Sequence, residues 1–565
     1  MDLGKRILLL ICLSWIFYIS HSSLFAAHIR GGFITATLLE NNTLSYRISL
    51  TAFVDAGSTI MFGGGSLDFG DGSEPINFEA GKPDFYKLLD EEVALNVFYA
   101  DHSFPGPGTF TIGYREFNRN GGIDNMENSE STPFYVEAQI LIDPYLGANS
   151  SVKILNYFPF KNKTNQPYFF PLNVIDPDGD SISIELSIPL QDKDVSVANY
   201  FVPANFDGNK ILSQIQLHVP ANEIIWANPL EEGEFNYAVK IREWRFNPSE
   251  NTWINVGYTT LDFQMIILER TDQPPDVIGF GDTAILASVP FNSSFTIRDD
   301  NAERLRVCIS ENIPGADEFV TSIDQEIYYP APVMGDISIT PFDDLRRSNP
   351  YKIVIFVNPE EFNSTSTQKS SMLWISDKAG KPEAPNGLKT HFAFQNTIIL
   401  GWQDLSDLEA GYTVERADSF FPEFIRIAAL PENTTVFTDA NVIPNRDYYY
   451  RVRAIGTEGS SYSDILEVRE MDIITGISDQ VAMEDFFVYP NPTDKFLIIP
   501  FNDRSHVPTY IKIIDMTGKM KSLFNPHYPL NTVNITIPIG DLLPGTYLLQ
   551  LEYPDHSLGR KFIKN

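Results

Sequence analysis

The densest cluster of chemistry-bearing side chains in this sequence is Asp176-Pro177-Asp178-Gly179-Asp180, three carboxylates at alternate positions around a glycine. Hard divalent cations bind through oxygen, and calcium takes about six to eight such ligands. Asp176, Asp178 and Asp180 supply part of that set, and no glutamate follows where a helix–loop–helix calcium loop carries one. The cluster therefore reads either as a calcium site or as a turn with solvated acids. Asp68 and Asp71 flank Phe69-Gly70 and invite comparison with a general acid–base pair. Glycosidase carboxylates face each other across a cleft, which one small turn does not provide, so capping of the turn is the expected role. His28 becomes the first residue if a leader is cut after Ala27, and a terminal amine with an imidazole chelates copper. His102, the other candidate ligand in that region, opens an aromatic strand, where packing is expected. His218, His391, His506, His527 and His556 have no metal-ligand spacing. No G-x-S-x-G elbow is present, and Gly63-Gly64-Gly65 lacks the Lys-Ser/Thr of a phosphate loop. No catalytic residue is expected, and calcium is the one cofactor the residues suggest.

The elements that must hold these residues are strands. Leu44, Tyr46, Ile48, Leu50, Ala52 and Val54 alternate with mostly polar neighbours, and so do Tyr448, Tyr450, Val452 and Ala454. Asp71-Gly72, Asn120-Gly121 and Asp178-Gly179 mark turns between such runs. Helical periodicity is absent over any long stretch. The expected class is all-β, a tandem of immunoglobulin-like β-sandwiches. The 565 residues carry 74 Asp and Glu against 41 Lys and Arg, a formal net charge of −33, which excludes a nucleic-acid backbone as partner. With 43% apolar residues the chain can build packed cores throughout.

Residues 1–27 read as a signal peptide: Lys5 and Arg6, an apolar run from Ile7 to Ile19, then Ala26 and Ala27. No other segment has the apolar length of a membrane span, so no transmembrane helix is expected in the mature chain. Of the two cysteines, Cys12 lies in the leader, and Cys308 is expected to be a buried apolar residue. Breaks at Asp143-Pro144, Gln273-Pro274-Pro275 and Lys381-Pro382 divide the rest into 28–143, 144–271, 272–381 and 382–470, followed by a linker at 471–484 and a last part at 485–565.

Several parts resemble known modules. Leu67-Asp68-Phe69-Gly70-Asp71-Gly72-Ser73 and His102-Ser103-Phe104, with Pro107-Gly108-Thr109-Phe110, make 28–143 similar to a PKD domain, with Leu67 in place of the usual tryptophan and a long insertion. His28-Ile29-Arg30-Gly31-Gly32, the acidic turn and the run Gly233 to Arg245 together resemble the N-terminal modules of gliding-bacterium surface proteins, and 144–271 reads as a cadherin- or immunoglobulin-like sandwich. Residues 272–381 carry no nameable motif and default to an immunoglobulin-like sandwich. Residues 382–470 resemble a fibronectin type III domain through Trp402, Tyr412 to Arg416 and Tyr448-Tyr449-Tyr450-Arg451-Val452, with Tyr448 as its tyrosine corner.

Residues 485–565 are similar to the type A sorting domain of type IX secretion. The resemblance rests on Tyr489-Pro490-Asn491-Pro492, on Asp515 with Gly518-Lys519, on Gly545 with Tyr547, and on the terminal Lys561 and Lys564, expected to be exposed. It implies partners in the type IX machinery, and a surface transpeptidase that attaches such cargo to lipopolysaccharide. The expected protein is secreted or held at the outer cell surface of a bacterium and non-enzymatic, acting in adhesion or binding of an extracellular glycan or protein. A secreted hydrolase with accessory sandwiches and a structural surface stalk are the competing classes.

Overall fold

The computed structural model describes residues 29–39, 44–58, 61–89, 93–156, 158, 160–208, 210–219, 221–249, 252–314, 319–360, 364–394, 397–443, 446–469, 496–500, 510–515, 520–524, 534–540, 542, 545–552 and 557–564. The expected signal peptide, with His28 after it, and the linker 471–484 lie outside them. Among the described residues the chain is all-β, a series of β-sandwiches, and helix is limited to single turns such as Ser129–Ser131 and Asp343–Leu345. It forms two compact units: one holds residues up to 388 with 402–435 and 448–467, the other holds 389–401, 436–447 and 468–565.

The larger unit is organised by a 15-stranded sheet. Its main path runs Ile76–Asn77, Ser66–Asp68, Gly108–Glu116, Phe134–Asp143, Thr252–Leu268, Ile29–Leu38, Ser45–Asp55, Val93–Ser103 and Phe85–Leu88. Thr252–Leu268 pairs along one edge with Gly233–Asn247. Along its other edge it meets Phe134–Asp143, then Ile29–Leu38, then Lys161–Lys163 in parallel. The break expected at Asp143-Pro144 is therefore not a gap between sheets. Asp143 Oδ1 accepts the backbone N–H groups of Tyr145 and Leu146, each at 2.8 Å, and Gly147–Ala148 pairs back onto Ile142 and Asp143. An aspartate before proline serves a tight turn as readily as a linker, and here it serves the turn.

Alternation gives this sheet two cores. Ile34, Ile48, Leu50, Leu67, Ile112 and Val136 fill one side, whereas Phe33 and Phe53 join Phe170, Trp226, Tyr237 and Phe263 on the other. Two glycines allow the first strand to enter between its neighbours. A β-carbon at Gly31, whose φ is +149°, would lie 2.5 Å from the Asp262 carbonyl oxygen, and one at Gly32 would lie 2.6 Å from that of Thr51.

Residues 272–381 form a four-stranded and a five-stranded sheet around Phe295, Ile297, Leu305, Val307, Ile355 and Leu373. Buried Cys308 lies on Arg304–Glu311, as expected of an apolar residue. Residues 382–469 contribute the three-stranded sheet Asn386–Phe394, Thr397–Gln403 and Val436–Asp439, and a five-stranded sheet built on Gly411–Asp418 and Tyr448–Gly456. Trp402 and Tyr412 are buried with ring centroids 5.9 Å apart, and Tyr448 is buried where its strand begins.

Within the larger unit the seams between segments are charged and largely buried. Arg426 bridges Glu223, Asp282 and the Ser370 hydroxyl, joining three of the expected modules. Glu223 is 0% exposed. Beside it, Lys352 Nζ donates to the carbonyl oxygens of Leu172, Ala221 and Asn222 at 2.9, 2.6 and 3.0 Å. Burial pulls the Lys352 ammonium down to about 7, against the attraction of Glu223. Ala221, Ala284, Trp374, Ala429 and Ile455 close the seam with apolar contact. Arg426→Met strands two buried carboxylates and should cost about 3–5 kcal/mol in urea unfolding. Combining it with Glu223→Gln and Asp282→Asn should recover part of that loss.

Candidate functional site

The acidic turn is assembled from three segments of the larger unit, 146–152, 176–180 and 243–245. Gly179 takes φ +82° with open space around it, so its backbone conformation, not crowding, calls for glycine. Asp176 Oδ1 accepts the N–H groups of Asp178 and Asp180 at 2.9 and 3.0 Å, and Asp178 Oδ2 accepts that of Ser150 at 2.6 Å. One oxygen from each of Asp176, Asp178 and Asp180 lies within 4.8 Å of the others. The trio predicted from spacing is thus brought together in space.

Two further residues complete the cluster, both from the inward face of Gly233–Asn247. Arg245 grips the Asp180 carboxylate with Nε and Nη2 at 2.8 and 2.6 Å. Its Nη1 donates to the carbonyl oxygens of Leu146 and Ala148 at 2.9 and 3.2 Å, and Nη2 donates to Asn149 Oδ1 at 3.1 Å. Glu243, two residues earlier, is 0% exposed. It accepts hydrogen bonds from the Asn149 side chain and from Val152 N–H. Burial raises its pKa from the usual 4.5 to about 8, with the negative charges of Asp176 and Asp180 adding to the effect. Burial, aided by the charges of Asp180 and Asp178, likewise raises Asp176 to about 6. Asp176 Oδ2 is buried with no hydrogen-bond partner. Asp176, Asp178 and Asp180 thus face one guanidinium, a donor set and a charge imbalance that suit a hard cation. Sequence reasoning missed Glu243 and Arg245, although their spacing from Ile241 continues the alternation of the buried face.

The other candidates resolve into structure. Asp68 Oδ1 accepts Gly70 N–H at 2.8 Å, and Asp71 Oδ1 accepts the N–H and hydroxyl of Ser73 at 3.0 and 2.6 Å, so both aspartates cap their turn. His102 Nε2 lies 2.7 Å from Asp71 Oδ2, and its ring stacks on Phe69 at 3.9 Å. Partial burial of Asp71 is outweighed by hydrogen bonds from Ser73 and His102, which hold its carboxyl at about 2. These contacts give His102 the packing role expected of it.

The C-terminal segment, in the smaller unit, pairs Phe496–Pro500 with Asn534–Pro538 and forms a four-stranded sheet in the order Met520–Phe524, Tyr510–Asp515, Gly545–Glu552, Ser557–Lys564. Leu497, Ile499, Ile511, Ile513, Ile537, Leu549 and Phe562 share its core. Tyr547 pairs in register with Phe562 and stacks on it, with ring centroids 5.6 Å apart. Asp515 ends its strand, Gly545 opens one on the surface, and Lys561 lies within the last. Tyr489, Pro490, Asn491, Pro492, Gly518 and Lys519 lie outside the described residues. Lys564, expected to be exposed, is buried: its place in Ser557–Lys564 aligns it with core residue Phe562.

Residues 487–565 match the family model of the secretion system C-terminal sorting domain. That domain marks proteins exported by type IX secretion, which sends this protein to the cell surface or the extracellular space. No helix among the described residues is long and apolar enough to cross a membrane. Among solved structures the chain is similar to a three-domain stretch of titin, at 13% identity over 58% of this chain and 99% of that one, with a TM-score of 0.16. It is also similar to a two-domain fibronectin type III segment of chicken tenascin, at 13% identity over 32% and 97%, with a TM-score of 0.14. At these scores the fold rests on the strands and registers described above.

The raised Glu243 pKa has a measurable sign. Between 4.5 and about 8 the folded state holds a proton that the unfolded chain releases, so stability falls as pH rises through that window. Glu243→Gln should remove this contribution and stabilise the protein at pH 8, by on the order of a few kcal/mol, with little gain below pH 5. Denaturant titrations across pH check it.

Proposed function

We propose that this is a non-enzymatic surface protein whose fused sandwiches act in adhesion, binding an extracellular glycan or protein ligand. The match of 487–565 to a sorting domain carries the reading, because it makes the rest of the chain cargo for export. Residues 1–27 act as the signal peptide, residues 28–143 serve as a PKD-like module of the kind found in gliding-bacterium surface proteins, and a surface transpeptidase anchors the product. Charged seams support display of a stiff body in place of a loose string, and loops at the sandwich ends present the binding groups. Deleting residues 485–565 should leave the protein in the periplasm on cell fractionation. Unchanged surface display would sink the export route.

The buried, unpartnered Asp176 Oδ2 supports calcium at Asp176, Asp178 and Asp180, where the ion would balance the charge left by Arg245. Millimolar calcium should give a saturable heat in calorimetry and raise the melting temperature at pH 8 more than at pH 5, because protons and calcium compete for these oxygens. The absence of heat would end the calcium reading.

A further inference from the structure

One cleft of the larger unit is unused by anything above. It opens where the second core reaches the outer part of the shared sheet, with a volume of about 430 Å³, in the range of small-ligand sites. Its floor is aromatic. Phe33 and Phe53 project from neighbouring strands, and Phe158 and Phe160 set their rings 4.6 and 5.1 Å from that of Phe53. Phe158 stays partly exposed although it lies 4.6 Å from the rings of both Phe53 and Phe263. Alternation along Ile29–Leu38 places Thr35 and Thr37 on the same face as Phe33, which sets hydroxyls beside the apolar floor.

The charge of the wall is out of keeping with the chain. Against an overall −33, the cleft is lined by Lys87, Lys153 and Arg306, and none of its described lining residues is acidic. Lys87 is held by Glu326 at 3.0 Å, and Arg306 Nη2 donates to the Leu89 carbonyl oxygen at 3.3 Å. Arg306 Nε is buried without a hydrogen-bond partner, and Lys153 is exposed. A guanidinium and a free ammonium beside an apolar floor suit a ligand with a carboxylate head and a hydrocarbon body.

We infer that this cleft binds a single-chain organic carboxylate, its apolar body on Phe53, Phe158 and Phe160 and its head toward Arg306 and Lys153. The inference gives the binding role proposed above a place and a ligand class. It rests on that reading only for its biological use, since the test is made on purified protein and does not depend on export.

The test is calorimetric titration of the purified full chain with monomeric dodecanoate. Saturable one-to-one binding is expected, weakened about tenfold or more by Lys153→Gln combined with Arg306→Gln. Because Arg306 also holds Leu89, Lys153→Gln alone is the control for folding; it should weaken binding several-fold with an unchanged melting temperature. Thr35→Trp, which fills the space, should abolish binding. Dodecanol and dodecyltrimethylammonium should bind at least tenfold more weakly than dodecanoate. Equal affinity for those two, no saturable heat with dodecanoate, or binding only to phosphatidylglycerol vesicles would each overturn the proposal. A neutral oligosaccharide whose binding is lost in Thr35→Trp while dodecanoate gives no heat would overturn it too.

Discussion

Strand Thr252–Leu268 is the constraint on which the larger unit depends. It is paired on both edges, and one of those edges is divided among three partners from two expected modules. Every partner must supply the right backbone at the right height. That explains why Gly31 and Gly32 stand where a side chain would strike the carbonyls of Asp262 and Thr51. It also explains the polar residues this strand buries. Asp262 is locked by a bidentate contact from Arg119, at 2.8 and 2.6 Å, and by Asn236 at 3.0 Å. A register slip by one residue would turn these groups into the apolar core.

The same choice recurs at the other seams. The segments meet through buried ion pairs and through lysine or arginine donating to carbonyl oxygens, with smaller apolar patches alongside. Buried ion pairs add little net stability over an apolar seam of the same shape, but they are intolerant of misalignment. Their effect here is to specify one arrangement of neighbouring modules. A body built in that way keeps the geometry of its loops and clefts, which a binding role requires. The acidic turn uses the same chemistry within one module: Arg245 comes from one strand, and the Asp180 it grips comes from a separate turn.

Much of this was legible in the sequence, for local reasons. Alternation from Leu44 to Val54 marks a strand, and Tyr46, Ile48, Leu50 and Ala52 are all fully buried. The glycines and aspartates of the Asp68 to Ser73 turn have the chemistry that turn needs. The terminal segment was readable because several short motifs follow one another in a set order. What was not legible is non-local. Nothing near Asp143-Pro144 reveals that the chain returns to the same sheet, because the strand that joins the halves begins more than a hundred residues later. Nothing local to Glu243 and Arg245 shows that the turn at Asp176 packs against them. The carboxylates of the site could be proposed from spacing, but their shared cation could not.

The distance between partners in the shared sheet also bears on time. Arg30 and Glu234 are 204 positions apart, and both flank the pairing that closes the first core against the second. Local hairpins, such as Ile29–Leu38 with Ser45–Asp55, can form while the chain is still being made, yet the other edge of the first strand has no partner there until Thr252–Leu268 arrives. Contacts of such separation slow folding, because a large loop must close before any of them forms. For a protein that leaves the cell, a slow closing step keeps the chain unfinished for longer before the shared sheet of the larger unit is complete.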